Sequence, residues 1–332
     1  MEDNRIKVGF FGVADWEREL IEKQAYGLAK CAVGIFSGSI EDNIETAADF
    51  DVISVFVSCQ LGKKVLDKLP KLKMIATRST GMDHIDLVEC KKRKIEVANV
   101  PEYGSVTVAE YAFALMLALA KRIVVAHQSV EEGDFSPEGL TGVDLRGKTL
   151  GVVGVGRIGS NMVKLGRGFG MKVLGVARHR DSKQEKKLGY KFVDLKTCLK
   201  ESDFVSLHVP SCKETFHLIN RGNIELMKKG SYLINTCRGD VIEVEAILWG
   251  LNQKILAGVA LDVAEDELGV VDPRTVERNT TKDDLKEVVT FHMLRDRDDV
   301  IFTPHNAFNS QEAVERIVVT TMDNIKSFLK KK

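Results

Sequence analysis

Residues 149–159 read Thr-Leu-Gly-Val-Val-Gly-Val-Gly-Arg-Ile-Gly, and this stretch decides the fold. The apolar run Thr149–Val155 has the composition of a buried parallel strand, and the helical spacing of Arg157–Phe169 follows it. Between them, Gly154, Gly156 and Gly159 form a G-x-G-x-x-G pattern. The first glycine permits a tight turn, the second lets a pyrophosphate approach the backbone, and the third lets helix and strand pack closely. Because the phosphates would face the helix N-terminus, the stretch predicts a dinucleotide-binding strand–turn–helix.

A second glycine motif precedes this stretch. Residues Gly142–Thr149 match G-x-x-x-x-G-K-[ST], the string of a P-loop. A working P-loop follows a strand and opens a helix, whereas this one follows a polar loop and opens the strand at Thr149. Its N–H groups would not converge on a phosphate, and we interpret it as a chance match.

Strand-like and helix-like segments alternate along the chain, which favours parallel α/β sheets. The first series has predicted strands at Ile6–Val13, Asp51–Val57, Leu72–Thr77 and Ile95–Val100. A long apolar-faced helix, Ser105–His127, follows it, with Ser105 or Thr107 as the N-cap. The second series has predicted strands at Thr149–Val155, Lys172–Ala177, Asp203–Val209, Ser231–Thr236, Ile255–Leu261 and Val300–Thr303, and Ser310–Leu329 is a final helix. Two doubly wound parallel-sheet α/β domains are therefore predicted.

Composition narrows the function classes. The 332 residues carry 48 basic and 48 acidic side chains, without the basic excess that nucleic-acid binders usually show. The six cysteines are scattered without a C-x-x-C pair, so neither a zinc site nor a redox dithiol is predicted. The most apolar helical stretch, Ala109–Ala120, is shorter than the about 20 residues that cross a membrane. The N-terminus has no signal-peptide pattern, and the cytoplasm is the expected compartment.

The end of the strand after the glycine loop bears on the choice of cofactor. An NAD-binding unit usually places Asp or Glu there to hold the ribose 2′-OH. This chain instead has Arg178, His179 and Arg180 after Ala177, and the first acid is Asp181. A guanidinium can pair with a 2′-phosphate, which favours NADP over NAD. The alternative is that both arginines are solvated loop charges and that NAD binds without the acid.

Three ionisable residues follow predicted strands of the second series. Arg238, Glu267 and His305 each come shortly after an apolar run, where open α/β sheets place their ligands. Reduction of a 2-oxo acid needs a cation for the carboxylate and carbonyl, and a proton donor with a pKa near neutrality. Arginine suits the first role and histidine the second, and a nearby carboxylate would favour the imidazolium. The three residues are thus candidate catalytic groups for such a reaction.

In combination, these motifs make the chain resemble the D-isomer-specific 2-hydroxyacid dehydrogenases, and within them the D-lactate dehydrogenase-like members. The resemblance covers nearly the whole chain. Its carriers are residues 77–86 (TRSTGMDHID), 99–103 (NVPEY), 108–110 (VAE), 154–159, 206–210 (SLHVP), 235–239 (NTCRG), 261–263 (LDV) and 303–305 (TPH).

The resemblance implies roles for the site residues. Arg238 would bind the substrate carboxylate and carbonyl, and His305 would be the general acid/base, oriented by Glu267. The backbone of Thr80 and Gly81 would also hold the carboxylate, Tyr103 would contact the substrate, and Asp262 would meet the nicotinamide end of the cofactor. The implied cofactor-binding residues are Gly154, Gly156, Arg157, Ile158, Gly159, Arg178, His179, Arg180, His208, Val209, Pro210, Thr215, Thr236, Cys237, Arg238, Asp262 and His305.

The resemblance also implies a domain organisation. Residues 1–101 plus 305–332 would form a flavodoxin-like substrate domain, into which a Rossmann cofactor domain, residues 102–304, is inserted. Members usually dimerise through the cofactor domain, so we expect a homodimer, to which the apolar Ser105–His127 helix is suited.

Several positions depart from the family pattern and leave the substrate open. Cys237 replaces a more usual alanine, which would place a thiol beside the cofactor; the alternative is that the residue is a small buried apolar filler. Asn306, Phe308 and Asn309 alter the stretch after the catalytic histidine. The alternatives to a pyruvate-like substrate are therefore glyoxylate, hydroxypyruvate, a bulkier 2-oxo acid or phosphite. The long segment between Glu267 and His305, which contains the charged insert 272–299, is nevertheless typical of lactate-type members. A dinucleotide-sensing co-repressor is the non-enzyme alternative, disfavoured by the retained catalytic trio.

Overall fold

The computed structural model describes residues 5–265, 289–290 and 292–331. Glu267 and most of the charged insert 272–299 lie outside the described residues. The chain forms two compact units, Met1–Tyr103 with Asn309–Lys332, and Gly104–Phe308. Among the described helices, none is both long and apolar enough to cross a membrane.

The first unit is a five-stranded parallel sheet in the order β2-β1-β3-β4-β5. Its strands are β1 Lys7–Phe10, β2 Ala32–Ile35, β3 Val52–Val55, β4 Met74–Thr77 and β5 Glu96–Ala98. Its helices are α1 Asp15–Ala25, α2 Ile44–Ala47, α3 Lys63–Leu66, α4 Leu87–Lys92 and the C-terminal α12 Gln311–Lys330. This strand order is that of the flavodoxin-like fold, and the chain reverses its direction across the sheet between β1 and β3.

Both faces of this sheet are buried, because alternate strand residues point to opposite sides. Val52 and Met74 pack with residues of α12 such as Met322, whereas Ile53 and Ile75 belong to the cluster on the other face. This explains why the strands read as continuous apolar runs.

The second unit is a seven-stranded parallel sheet in the order β12-β11-β10-β9-β6-β7-β8. Its strands are β6 Thr149–Val153, β7 Lys172–Val176, β8 Lys191–Phe192, β9 Phe204–Leu207, β10 Ser231–Asn235, β11 Leu256–Leu261 and β12 Val300–Phe302. Its helices are α5 Ser105–Ala120, α6 Ile123–Glu131, α7 Arg157–Gly168, α8 Ser182–Leu188, α9 Leu195–Glu201, α10 Arg221–Ile224 and α11 Val244–Asn252. The order is that of a Rossmann sheet with one added strand, and it reverses between β6 and β9. The predicted fold class, two doubly wound parallel sheets, is confirmed.

The predicted single helix Ser105–His127 is wrong, because the chain breaks it into α5 and α6. Arg122, between the two helices, has left-handed φ and ψ of 52° and 35°. The N–H of Val143 donates to the carbonyl of Ala120 at 2.8 Å, and a Cβ on Gly142 would lie 2.3 Å from that oxygen. The returning chain thus takes the place of the next helical turn. The N-cap is Gly104, without a side-chain hydrogen bond, and not Ser105 or Thr107.

The boundaries between the units fall after Tyr103 and Phe308, a few residues beyond those placed from the sequence. The Nε of Arg316 donates to the carbonyl of Tyr103 at 2.8 Å, which ties this residue to the first unit. Asp262 accepts hydrogen bonds from the N–H groups of Asn306 and Ala307, which ties the turn containing His305 to the second unit.

Candidate active site

The three glycines of the loop after β6 serve three different purposes. Gly154 has a φ of +98°, and a Cβ there would lie 2.2 Å from the carbonyl oxygen of His208. A Cβ on Gly159 would lie 2.1 Å from the oxygen of Gly154, so this glycine permits close packing of α7. A Cβ on Gly156 would meet no described atom within 4 Å. Gly156 is exposed just before Arg157 and Ile158 in the first turn of α7, which leaves space for a phosphate at the helix N-terminus.

Two buried polar atoms at the same edge of the sheet lack a partner among the described residues. They are the Nδ1 of His208, after β9, and the Oγ1 of Thr236, after β10. The Nε2 of His208 lies 2.9 Å from the hydroxyl of Ser206, and burial lowers the pKa of His208 to about 4. The ring is therefore neutral at pH 7. Buried polar atoms normally find partners, so these two fit a bound group such as the dinucleotide that the glycine loop would cradle.

The hydroxyl of Thr215 joins the two ends of the loop after β9 by hydrogen bonds. Thr215 donates to the carbonyl of Pro210 at 2.6 Å and accepts from the N–H of Cys212 at 3.0 Å. This holds Val209 and Pro210 next to the glycine loop, since the Cγ1 of Val209 lies 2.9 Å from a Cβ built on Gly154. The hydroxyl of Thr215 thus shapes the loop from within.

The two arginines after β7 have different surroundings. Arg180 donates to Glu185 at 2.9 Å, and its guanidinium lies over the ring of Phe192 at 5.8 Å from the centroid. Arg178 is exposed and lies 3.9 Å from the carboxylate of Glu214, on the loop after β9. The exposed His179 lies between them in sequence. Arg178 is thus the less engaged cation at the strand end.

The buried Asn235 shapes the loop that carries Arg238. Its Oδ1 accepts from the N–H of Cys237 at 3.0 Å, and its Nδ2 donates to the carbonyl of Arg238 at 2.8 Å. A Cβ on Gly239 would lie 2.0 to 2.2 Å from the backbone of Ala264 and of its successor. Only glycine lets this loop approach the segment after β11 so closely. Nη1 of Arg238 donates to the carbonyl of Cys237 at 2.6 Å.

Cys237, which directly precedes this arginine, is partly buried. Burial raises its pKa to about 11, and the thiol donates to the Oδ1 of Asn235 at 3.0 Å. The group is therefore protonated at neutral pH, which suits a filler better than a nucleophile.

Asp262, directly after β11, holds the turn that presents His305. One carboxylate oxygen accepts from the hydroxyl of Thr303 and, at 2.8 Å, from the N–H of Asn306, and the other accepts from the N–H of Ala307 at 2.8 Å. The carbonyl of Asp262 accepts from the N–H of His305 at 2.8 Å. His305 has a φ of +50°, a conformation that needs such support in a residue with a side chain.

Asp262 also connects this turn to the arginine loop. Its N–H donates to the carbonyl of Asn235 at 2.9 Å, so the loop of Arg238 and the turn of His305 lie on either side of it. Burial raises the pKa of the Asp262 carboxyl, and the hydrogen bonds from Thr303, Asn306 and Ala307 act in the opposite direction. The structure therefore brings Arg238, Asp262 and His305 to one edge of the sheet, whereas Glu267 lies outside the described residues.

The first unit places Thr80 and Gly81 in the loop after β4. The hydroxyl of Thr80 donates to the carbonyl of Val100 at 2.7 Å, and the Nδ2 of Asn99 donates to the carbonyl of Thr80 at 2.7 Å. Tyr103 lies half-buried at the end of this unit.

Asn235, Thr303 and Ser79 build these loops, and sequence reasoning included them in motifs without giving them a role. Each is a small polar residue at the carboxyl end of an apolar run, which is the signal that could have singled them out. Among the described residues, no group of three or more His, Cys, Asp and Glu side chains could hold a metal ion.

Comparison with known proteins supplies the family. Residues 113–307 match the family described as D-isomer specific 2-hydroxyacid dehydrogenase, NAD binding domain. A D-lactate dehydrogenase of Escherichia coli is 35% identical over 292 residues, 87% of either chain. A glyoxylate reductase of Thermococcus litoralis is 42% identical over 231 residues, covering 68% of this chain and 70% of the relative. The structure of the D-lactate dehydrogenase of Aquifex aeolicus with NAD and lactic acid superposes with a TM-score of 0.86 at 37% identity, covering 98% of this chain and 96% of that one.

These matches and the site define a nicotinamide-dependent oxidoreductase of small hydroxy or oxo acids. The chain belongs to the D-isomer specific 2-hydroxyacid dehydrogenase family, since the family match covers more than half of it. The resemblance read from the motifs is thereby confirmed.

Proposed function

We propose that this enzyme reduces a small 2-oxo acid such as pyruvate to the D-2-hydroxy acid. The observation that supports the proposal is that three features lie at one edge of the second sheet: an accessible glycine loop, the Arg238 loop and the turn of His305. We propose that this unit binds the cofactor and that the first unit binds substrate through its β4 loop.

Each polar residue then has a task that its chemistry suits. Bound NAD(P)H would supply the hydride to the carbonyl carbon of the 2-oxo acid. Arg238 would neutralise the carboxylate and polarise the carbonyl, and His305 would deliver the proton to the carbonyl oxygen. Glu267 is the proposed carboxylate that orients His305, and Asp262 and Thr236 are proposed to meet the nicotinamide end. His208, neutral at pH 7, would offer a ring nitrogen without adding charge.

Two free backbone donors support carboxylate binding by the first unit. In the described part of the chain, the N–H groups of Thr80 and Gly81 donate to no protein acceptor. Adjacent N–H groups in a loop form a concavity suited to an anion. We propose that these two groups bind the substrate carboxylate, with Tyr103 against the rest of the acid.

We propose NADP as the preferred cofactor, with Arg178 as the ligand of the 2′-phosphate. No acid precedes Arg178 at the strand end, and its guanidinium is exposed. Arg180 is the weaker candidate because Glu185 already pairs with it. Glu214, 3.9 Å from Arg178, is the carboxylate that a 2′-phosphate would have to displace.

Glyoxylate reduction is the second candidate activity, favoured by the likeness to the glyoxylate reductase of Thermococcus litoralis. The same chemistry serves both acids, so the difference would lie in the space beside the carbonyl.

We also propose a homodimer formed through the second unit. No residue of α6 is buried, although the helix carries Ile123, Val124 and Val130, and Phe135 just beyond it is largely exposed. An apolar surface of this kind fits a second copy of the chain. Light scattering after size exclusion tests this, and a monomeric mass at micromolar concentration would contradict it.

The function is tested by initial rates with NADH and NADPH against pyruvate, glyoxylate, hydroxypyruvate and phenylpyruvate. We expect the highest kcat/KM with a small 2-oxo acid and NADPH. Arg178→Ala should lower the NADPH to NADH ratio, whereas Arg180→Ala should change it less. A wild type that oxidises neither cofactor with any of these acids would refute the proposal, and an unchanged ratio in Arg178→Ala would refute the phosphate assignment alone.

A further inference from the structure

A chain of buried hydroxyls lies under the loop that follows β4. Thr77 Oγ1 is 2.7 Å from Ser79 Oγ and 3.0 Å from Nε2 of His84, and Ser79 Oγ donates to the carbonyl of Gly81 at 2.7 Å. Thr77, Ser79 and His84 are all buried. We propose that Ser79, supported by Thr77 and His84, is a positioning residue that sets the affinity for the substrate carboxylate by fixing the backbone at Gly81. The inference rests on the proposed function and deepens it.

The direction of this chain follows from counting protons. Ser79 has one hydroxyl hydrogen, and the carbonyl of Gly81 accepts it. In the bond between the two hydroxyls the hydrogen must therefore come from Thr77. Because Thr77 also has only one hydrogen, its oxygen must accept from His84, so Nε2 of His84 carries a proton. The hydrogen bonds thus run in one direction, from His84 through Thr77 and Ser79 to Gly81.

This direction leaves the loop little freedom. The carbonyl of Gly81 is held from below through Ser79, and the flanking residue Thr80 is held by Val100 and Asn99. The hydroxyls of Ser79 and Thr80 both donate within the protein. What the loop offers to an anion is therefore its backbone N–H groups. Asn99 fixes the peptide plane that carries the N–H of Gly81, and Ser79 fixes the next plane along the chain, so that together they limit rotation of the backbone at Gly81.

A loss of this support should appear as weaker binding of the acid. One buried hydrogen bond between neutral groups contributes about 0.5–1.5 kcal/mol, which corresponds to about a 2- to 12-fold change in affinity. The cofactor-binding residues lie in the other unit, so cofactor affinity should not follow.

The experiment compares Ser79→Ala with Ser231→Ala. Ser231 is also a buried serine, but its hydroxyl has no partner among the described residues, so the control makes the same chemical change without losing a hydrogen bond. Thr77→Val removes the middle hydroxyl, and Thr77→Ser retains it. For each variant, KM for the 2-oxo acid, kcat and the Kd for the cofactor are measured.

We expect Ser79→Ala and Thr77→Val to raise KM for the acid about 3- to 10-fold, with kcat within about twofold and cofactor Kd unchanged. Ser231→Ala and Thr77→Ser should keep the wild-type KM. A purely structural role would lower kcat through loss of active enzyme and leave KM unmoved, and that result would overturn the inference. So would equal KM values in all four variants. If the wild type reduces no 2-oxo acid, the proposed function fails first and this inference fails with it.

Discussion

The two sheets of this protein differ at the point where the strand order reverses: one leaves it accessible to a ligand, and the other fills it with a side chain. In doubly wound sheets, ligands bind outside the carboxyl ends of the strands where the strand order reverses. In the second unit that point lies between β6 and β9, and the backbone at Gly156 is open. In the first unit it lies between β1 and β3, and the fully buried side chain of Arg78 occupies it.

Arg78 closes the first unit with an almost complete set of hydrogen bonds. Its Nη2 donates to the carbonyls of Phe11 and Gly12 at 3.0 and 2.9 Å, and its Nη1 donates to the hydroxyl of Ser54 at 3.1 Å. Nε and Nη2 donate to the two carboxylate oxygens of Glu17, both at 3.1 Å. Arginine is almost never fully buried unless it is paired, and here Glu17 is buried with it.

The difference shows that a doubly wound sheet can present or remove a ligand site at its switch point by the choice of a few side chains. The second unit uses glycines to keep backbone donors accessible, and the first uses an ion pair to consume the backbone acceptors at the equivalent place. The first unit then offers the neighbouring loop after β4, which begins immediately after Arg78.

The largest expected effect is a loss of kcat when His305, the proposed proton donor at the carboxyl edge of the second sheet, is replaced. Replacing His305 with Asn should lower kcat about 10²- to 10⁴-fold, because general acid–base catalysis contributes this much. Asparagine tolerates the positive φ of this position, so the turn should persist. Steady-state rates measure the loss. His127→Asn changes an exposed histidine and is the control. A variant with more than a tenth of wild-type kcat would remove His305 from the mechanism.

The next effect concerns the ion pair that closes the other sheet. Arg78→Met leaves Glu17 buried without its partner, and breaking a buried pair costs about 3–5 kcal/mol of unfolding free energy. Adding Glu17→Met should recover much of this loss, because neither charge then remains buried. Urea denaturation of the three proteins measures both effects. If the single variant were as stable as the wild type, the ion pair would not be what holds this edge closed.

The lowered pKa of His208 should make the free energy of unfolding depend on pH. The folded pKa of His208, about 4, lies below its ordinary value of 6.5, so the unfolded chain takes up the proton first. Stability from this group is complete above pH 6.5 and is lost as the pH falls toward 4, by about 2 kcal/mol at pH 5. Denaturation at pH 7 and pH 5 should show a steeper decline in the wild type than in His208→Gln. Equal declines would show that His208 titrates normally.

The smallest expected effects come from adding one methyl group at the point of each sheet where the strand order reverses. Gly156→Ala should weaken cofactor binding about tenfold, about 1.4 kcal/mol, without loss of stability, since its Cβ enters the space left for the phosphates. Gly12→Ala should do the reverse, because its φ of +62° makes alanine cost about 1 kcal/mol while no cofactor is affected. Calorimetric titration and thermal unfolding measure the pair. Equal effects of the two substitutions on cofactor Kd would remove the contrast between the sheets.

The sequence predicted those features that follow from local residue type and spacing. The spacing of Gly154, Gly156 and Gly159 after an apolar run predicted the strand–turn–helix, and alternating elements predicted two parallel sheets. The strands β2 and β8 were missed. β8 has only two residues, whereas β2 has four apolar residues, Ala-Val-Gly-Ile, and is as long as β1, so its sequence contained a signal that was passed over.

What the sequence could not predict depends on contacts between distant segments. The break at Arg122 follows from Gly142 and Val143 packing on the end of α5, while the local apolar pattern continues through the break. The burial of Arg78 requires Glu17, 61 residues away. The support of His305 by Asp262 likewise joins residues far apart in sequence, although their motifs made both candidates.

The central claim is tested most directly by the product itself. Purified protein is incubated with pyruvate and limiting NADPH, and the lactate formed is resolved by chiral chromatography while cofactor oxidation is followed by absorbance. We predict D-lactate in a one-to-one ratio to oxidised cofactor. L-lactate, or cofactor oxidation without a 2-hydroxy acid, would contradict the account.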